Sequence, residues 1–327
     1  MILARAPLRI SIAGGGTDLP SYYIGRGTSW ISGAINKYCY AAANYGFANE
    51  FLIKYSNLER VRSVKEINHN LIRETLIYSK QSNPLELTFS ADLPGGTGLG
   101  SSSAFIVSQL AALHAYNHRQ FSARQLAEEA TYIEREILNE PIGLQDQYIS
   151  ALGGITIFEI DESGLLKWNR IPVRANWYNS FTEKIFLVYT GKTRMANEFL
   201  SGQESRTLAN DKQLISELDW VKDSVKKVYS MLIQDDFDNY GRFLDEYWQK
   251  KRERETGISS SSIDDMYSKA LRNGAVGGKL IGAGGSGFLM FIVQDKERIR
   301  KALDPTGLLE VPFSFDQQGA CILIQND

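Results

Sequence analysis

The stretch Asp92-Leu-Pro-Gly-Gly-Thr-Gly-Leu-Gly-Ser-Ser-Ser-Ala104 constrains this chain more than any other. It packs four glycines and four hydroxyl side chains into thirteen residues, and an apolar-rich, helix-favouring run from Phe105 to Leu113 follows at once. Glycine lets backbone take up positive φ and approach a ligand closely. A helix starting directly afterwards points its free N–H groups and positive dipole end back at the loop. That combination suits a polyphosphate, with serine hydroxyls available to its magnesium. A lysine-containing P-loop is excluded, because no lysine occurs between Gln81 and Asp146. The anion must be held by backbone, dipole and hydroxyls, with any cation supplied from elsewhere in the chain.

At 327 residues the chain is long enough for two ordinary domains. A shift of composition around 171 to 183 marks the boundary. With 36 basic and 38 acidic residues the charge is nearly balanced, which gives no support for a nucleic-acid or membrane-surface partner. Cys39 and Cys321 lie far apart and show no metal or redox spacing, as in a reduced, cytoplasmic protein. The first residues lack a basic region followed by an apolar stretch, so no secretory signal is expected. No apolar run approaches the ~20 residues of a spanning helix. Self-association is left open.

Residues 1 to 13 read as a strand in which Leu8, Ile10 and Ile12 alternate with Arg9 and Ser11. Arg9 therefore faces away from the apolar side; a plain surface arginine is the simpler reading. Gly14-Gly-Gly-Thr-Asp18-Leu-Pro20 follows, a tight turn ending in a carboxylate that also suits cap chemistry. The segment 29 to 55 reads as two or three antiparallel strands. A helix is expected over Asn70 to Ser79, a strand over Leu85 to Ser90, and a helix from the glycine loop to about Tyr116. Ser122 to Gln125 forms a capping box that opens a helix to about Leu138. Glu134 lies at the margin of that helix's apolar stripe, where a carboxylate must be paired or bind a cation. A magnesium ligand and a salt bridge are both open there. His114 and His118 are spaced like a zinc pair but lack a third ligand.

A Pro/Gly-containing stretch from Glu140 carries Asp146 into a strand near 152 to 158, with a hairpin turn at 161 to 164. Ile185 to Tyr189 reads as a buried strand, followed by a helical region to Glu255 with breaks near 201–202 and 235–236. The run Lys250 to Glu255 reads as a solvated helix end. Gly282-x-Gly284-x-x-Gly287 matches the dinucleotide fingerprint in form only, because Phe288 to Val293 is strand-like where a helix should begin. That loop instead offers a backbone surface for a ligand or for the first glycine loop. A helix over Lys296 to Leu303 and strands over 310–315 and 320–325 close the second domain, giving an α+β order.

Three segments together resemble one superfamily, the small-molecule kinases named for galactokinase, homoserine kinase, mevalonate kinase and phosphomevalonate kinase. They are Ala6 to Pro20, Pro94 to Ala104 and Gly278 to Gly287. The resemblance implies a two-domain α+β fold: a mixed sheet with helices over 1–175 and a ferredoxin-like α/β sandwich over 176–327. It implies ATP bound along Pro94, Gly95, Gly96, Thr97, Gly98, Leu99, Gly100, Ser101, Ser102 and Ser103. Asp146 falls where the family keeps its catalytic aspartate, and Arg9 matches the basic residue paired with it. Ser102 and Glu134 match the magnesium-holding hydroxyl and carboxylate, with Ser101 and Ser103 as alternatives to Ser102. Gly16, Thr17 and Asp18, with Gly284 and Gly285, are placed beside the substrate. Gly-Gly-Gly-Thr-Asp-Leu-Pro and Gly-Leu-Gln-Asp-Gln resemble the branch that phosphorylates D-glycero-D-manno-heptose 7-phosphate at its anomeric hydroxyl; a galactose- or fucose-type sugar kinase is the alternative, and a non-catalytic sensor a remoter one. The substrate's own phosphate needs a further cation. Charge logic alone nominates Lys192 and Arg194 on the turn after Tyr189, with Lys279 behind them.

Overall fold

The computed structural model describes every residue except 47, 175, 192–196, 304–306, 308 and 327, and the side chains of 197 and 198. Lys192 and Arg194 therefore lie outside the described residues.

The chain runs β1 (Ile2–Ala13), α1 (Pro20–Tyr23), β2 (Thr28–Tyr45), β3 (Phe51–Lys54), β4 (Leu58–Val61), α2 (Asn70–Tyr78), β5 (Leu85–Ala91), α3 (Ser101–Tyr116), α4 (Ala123–Tyr132), α5 (Gln145–Leu152), β6 (Ile155–Ile160) and β7 (Leu166–Arg170). It continues through α6 (Trp177–Lys184), β8 (Ile185–Tyr189), α7 (Asn197–Leu208), α8 (Lys212–Ile233), α9 (Phe237–Glu253), α10 (Ser261–Arg272), β9 (Ala275–Leu280), β10 (Phe288–Val293), α11 (Lys296–Leu303) and β11 (Cys321–Gln325).

The first sheet has the order β11-β1-β2-β5-β3-β4, and among the described residues its one parallel pair is β3 with β5. β2 is long enough to serve two neighbours: its first half pairs with β6 and its second with β5, while β1 runs beside both. Helices α3 and α5 pack on β1 and β2, and α8 also packs on these strands. β1 is therefore almost wholly buried. Leu8, Ile10 and Ile12 sit in the core, and Arg9 and Ser11 are buried on the opposite face. The simpler reading of Arg9 as a surface residue is thereby corrected.

The second sheet is antiparallel, β8-β10-β9, and α9 packs against β9 and β10. Glu310 adds a single bridge beside Val188, so the strand order is that of a ferredoxin-like sandwich with its fourth strand reduced to one bridge. Residues 310–315 thus form no full strand, and β11 pairs with β1 instead of closing the second sheet.

Two further expectations are corrected, and one strand, β9, was not foreseen. β9 was hidden by its glycines, which close helix packing demands: a Cβ on Gly277 would lie 2.0 Å from the Gly241 carbonyl oxygen of α9. The helix α7 runs through Ser201–Gly202; the break comes at Asn210, whose φ is 60°, and Asp211 caps the next helix through the N–H groups of Gln213 and Leu214. Asp146 stands on a helix, α5, within a stretch that reads as a Pro/Gly loop.

Candidate active site

The glycine-serine loop alternates. Thr97 and Leu99 are fully buried, whereas Gly96, Gly98 and Gly100 take φ of 71°, 79° and 74° and line a cavity of about 420 Å³. Positive φ at these three positions is open to glycine at little steric cost. Gly100 directly precedes α3, so the helix N-terminus opens onto the cavity through Ser101, Ser102 and Ser103. Pro94, Gly95, Thr97 and Leu99 do not line it: the first two are exposed at the outer edge, and the last two anchor the loop from within. The second glycine loop packs on the first, as the sequence suggested. A Cβ on Gly282 would meet Gly98 Cα at 2.7 Å, and one on Gly287 would meet the Thr97 carbonyl oxygen at 2.3 Å. Of this loop's two glycines expected beside the substrate, Gly284 lines the cavity, whereas Gly285 turns toward the Phe199 ring.

Arg9 crosses from β1 to this loop. Its Nε and Nη2 donate to Asp146 Oδ1 and Oδ2, both at 2.7 Å, and its Nη1 donates to the Gly98 carbonyl. A bidentate guanidinium–carboxylate pair fixes both partners in plane. Asp146 sits in the first turn of α5, where the helix dipole favours negative charge. The start of that helix is set from far away in sequence. Asp18 Oδ2 accepts from the N–H groups of Leu144 and Gln145, at 2.9 and 3.0 Å. Gly143 makes room for it, since a Cβ there would lie 1.9 Å from Asp18 Oδ2. Burial holds the Asp18 carboxyl above its ordinary pKa. Asp18 and Gly16 line the cavity, while Thr17 is fully buried and donates its hydroxyl to the Gly14 carbonyl at 2.8 Å.

Glu134 lies on a π-helical turn, Ile133–Ile137, that continues α4. Such turns recur at functional sites. Its carboxylate is buried and accepts from Ser102 Oγ and Ser103 Oγ, each at 2.9 Å, and from Gln147 Nε2 at 2.6 Å. Burial pushes its pKa up to about 7 despite those three donors. No basic residue pairs with it among the described residues, which disposes of the salt-bridge alternative. The donor set, one carboxylate with two hydroxyls, is all oxygen and fits a hard cation that takes its remaining ligands from phosphates and water. Among the described residues there is no cluster of three or more His, Cys, Asp or Glu side chains able to hold a metal without such help. His114 instead pairs with Glu129 at 2.7 Å.

The opposite wall carries cations that the sequence reading missed. Lys251 and Arg254 of the run taken for a solvated helix end both line the cavity, and Lys251 is buried. Arg254 pairs with Glu217 and donates to Gln203 Oε1 at 3.0 Å, while Gln203 Nε2 donates to the Gly16 carbonyl at 2.6 Å. Lys279 is also buried on this wall. The signal was present: Tyr240, Leu244 and Tyr247 form a stripe at helical spacing, and Lys251 and Arg254 continue it.

A glycine-rich loop at a helix N-terminus, with a pinned aspartate beside it in one cavity, defines a small-molecule phosphotransferase. The comparisons with known proteins name its family. The model of the GHMP kinases N terminal domain matches residues 62–154, and that of the GHMP kinases C terminal domain matches residues 228–305. A D-glycero-alpha-D-manno-heptose 7-phosphate kinase of Campylobacter jejuni is 26% identical over 97% of this chain and 97% of its own length. An L-fucokinase/L-fucose-1-P guanylyltransferase of Bacteroides fragilis is 23% identical over 93% of this chain, which covers 36% of that longer protein. The crystal structure of a D-glycero-D-manno-heptose 1-phosphate kinase from Bacteroides thetaiotaomicron has the same fold, with a TM-score of 0.82 over 100% of both chains at 23% identity. The chain belongs to the GHMP kinases and is a sugar kinase that transfers phosphate to an alcohol group. Kinases of this family use ATP, generally with magnesium. No described helix is long and apolar enough to cross a membrane.

Proposed function

We propose that this kinase transfers the γ-phosphate of ATP to the anomeric hydroxyl of D-glycero-D-manno-heptose 7-phosphate, giving heptose 1,7-bisphosphate for nucleotide-activated heptose synthesis. The observation that carries this reading is the Arg9–Asp146 pair, held at the mouth of the glycine loop and facing the cationic wall. The Campylobacter relative's name supports the sugar.

Phosphoryl transfer asks little covalent chemistry of a protein, so positioning and charge neutralisation dominate. In this reading the backbone of Gly96, Gly98 and Gly100 and the start of α3 cradle the β- and γ-phosphates. Ser102 and Glu134 would hold magnesium, which would supply positive charge against the phosphates. Asp146 keeps lone pairs free beyond the two that Arg9 occupies, and its side chain is partly exposed, so it can accept the sugar hydroxyl proton. Arg9 fixes the plane of that carboxylate through the bidentate pair. Asp18 positions Asp146 through the α5 cap, and Gly16 with Gly284 bounds the sugar site. In this reading the first part of the chain supplies the nucleotide loop and Asp146, and the second supplies Lys251, Arg254 and Lys279.

ADP release with Mg-ATP against heptose 7-phosphate, mannose 6-phosphate, mannose, galactose and fucose tests this. Turnover confined to heptose 7-phosphate is expected. Preferred turnover of free fucose would replace it with the second reading, which the Bacteroides fragilis relative favours.

A further inference from the structure

The cations around the cavity are not alike in how they are held. Arg9 and Arg254 each lie against a carboxylate, Asp146 and Glu217. Lys251 and Lys279 do not. Lys251 Nζ donates to the carbonyls of Leu280 at 3.2 Å and Gly282 at 2.5 Å. Lys279 Nζ donates to the Ile12 carbonyl at 3.2 Å and sits 4.9 Å from the centre of the Tyr247 ring. No carboxylate pairs with either lysine among the described residues. An ammonium has three donors, so at least one remains on Lys251 and two on Lys279. Ser11, buried and lining the same cavity, has a hydroxyl with no partner among the described residues.

Burying an ammonium without a counter-ion costs several kcal/mol unless the group loses its proton or gains an anion. The amines respond in that direction: burial, with neighbouring positive charge added, pushes Lys279 down to about 7 and Lys251 well below the usual lysine value. Arg254 completes the arrangement on the sugar side, because a Cβ on Gly16 would lie 3.5 Å from its Nη1. In the proposed reading the glycine loop and the start of α3 answer the nucleotide's charge, and Arg9 is already met by Asp146, so a second anion is what these amines lack.

We propose that Lys251, Lys279 and Arg254 form the subsite for the phosphate that the sugar substrate already carries. This deepens the sugar-phosphate reading above and rests on it. All three residues lie in the second half of the chain. Bound phosphate supplies the missing counter-charge to two amines and accepts their remaining donors, together with those of the Arg254 fork.

The test is the ratio of kcat/KM for heptose 7-phosphate to that for the unphosphorylated heptose. A ratio near one in the unaltered protein would sink the sugar-phosphate reading itself before any variant is made. Given a high ratio, Lys251→Met and Arg254→Met should each lower it about 100-fold, the effect of one lost charge-assisted contact of about 2–3 kcal/mol. A ratio left high by both variants overturns the subsite alone. Should a variant misfold, the unaltered enzyme still decides the matter through inhibition by inorganic phosphate. Inhibition competitive with heptose 7-phosphate and not with ATP supports the subsite; competition with ATP alone overturns it.

Discussion

The two walls of the cavity handle charge in opposite ways. On the glycine-loop wall, Arg9 and Asp146 are closed on each other in a bidentate pair, and Glu134 is met by two serines and a glutamine. On the far wall, Lys251 and Lys279 meet backbone carbonyls, and Lys279 the Tyr247 ring, with no carboxylate paired to either among the described residues. The difference separates two tasks. A group that must meet a reacting atom within a few tenths of an ångström has its geometry imposed by the protein beforehand. A group that receives a ligand's fixed charge can remain short of a partner until the ligand arrives. The Arg254–Glu217 pair on the far wall shows that the contrast belongs to the residues and not to the wall as a whole.

The comparison breaks most sharply at Asp146. Asp146→Asn keeps the shape but removes the charge that Arg9 holds in place, so kcat should fall at least ~100-fold while ATP affinity is retained. Steady-state rates together with a nucleotide-binding titration check this; near-normal turnover would take Asp146 out of the mechanism. Glu134→Gln comes next. It leaves an oxygen for the two serine hydroxyls but no charge for a cation, and should raise the magnesium needed for half-maximal rate about 10–100-fold. An unchanged magnesium dependence would assign Glu134 to packing alone. Gly143→Ala is the subtler probe. Its methyl cannot coexist with Asp18 in the present cap, so stability should drop by about 1–3 kcal/mol. The rate should fall with it, because α5 carries Asp146. A thermal scan beside the rate measurement reads both, and a stable variant of full activity would detach Asp18 from catalysis.

How much of this was legible in sequence depended on how local the cause was. The glycine-serine loop and α3 were legible because φ freedom, hydroxyls and the following helix lie within one short stretch. The register of β1 was legible as alternation, but alternation reports two faces and not what covers them. Arg9 therefore stayed ambiguous until α3, α5 and the loop were seen packed around it. Asp146 could not be placed on a helix from its neighbours, because the cap comes from Asp18, 126 residues before Leu144. The glycines of β9 serve the approach of α9, a tertiary demand that erases the local strand signal. Lys251 and Arg254 were missed for a different reason. Charge was read as exposure, although their helical spacing continued the buried stripe.

That last error leads to the smallest expected effect, which bears on the far wall directly. Lys279 is a base whose native pKa is lowered to about 7 by burial and by nearby Arg9, while the unfolded chain has the ordinary lysine value near 10.5. Between those values the unfolded state binds more protons than the native one, so stability rises with pH across that window. The burial penalty is complete below about pH 7 and disappears above about 10.5. Lys279→Met removes it, although the bond to the Ile12 carbonyl and the contact with Tyr247 go too. Without ligands, the variant should melt about 1–2 °C above the parent at pH 6.5 if about 1 kcal/mol net is gained. The gap should close as the pH approaches 10. With heptose 7-phosphate present the order should reverse, since the parent alone can give its ammonium to the phosphate. A gap that is independent of pH would mean that Lys279 carries its charge at ease, and the contrast between the walls would then rest on Lys251 alone.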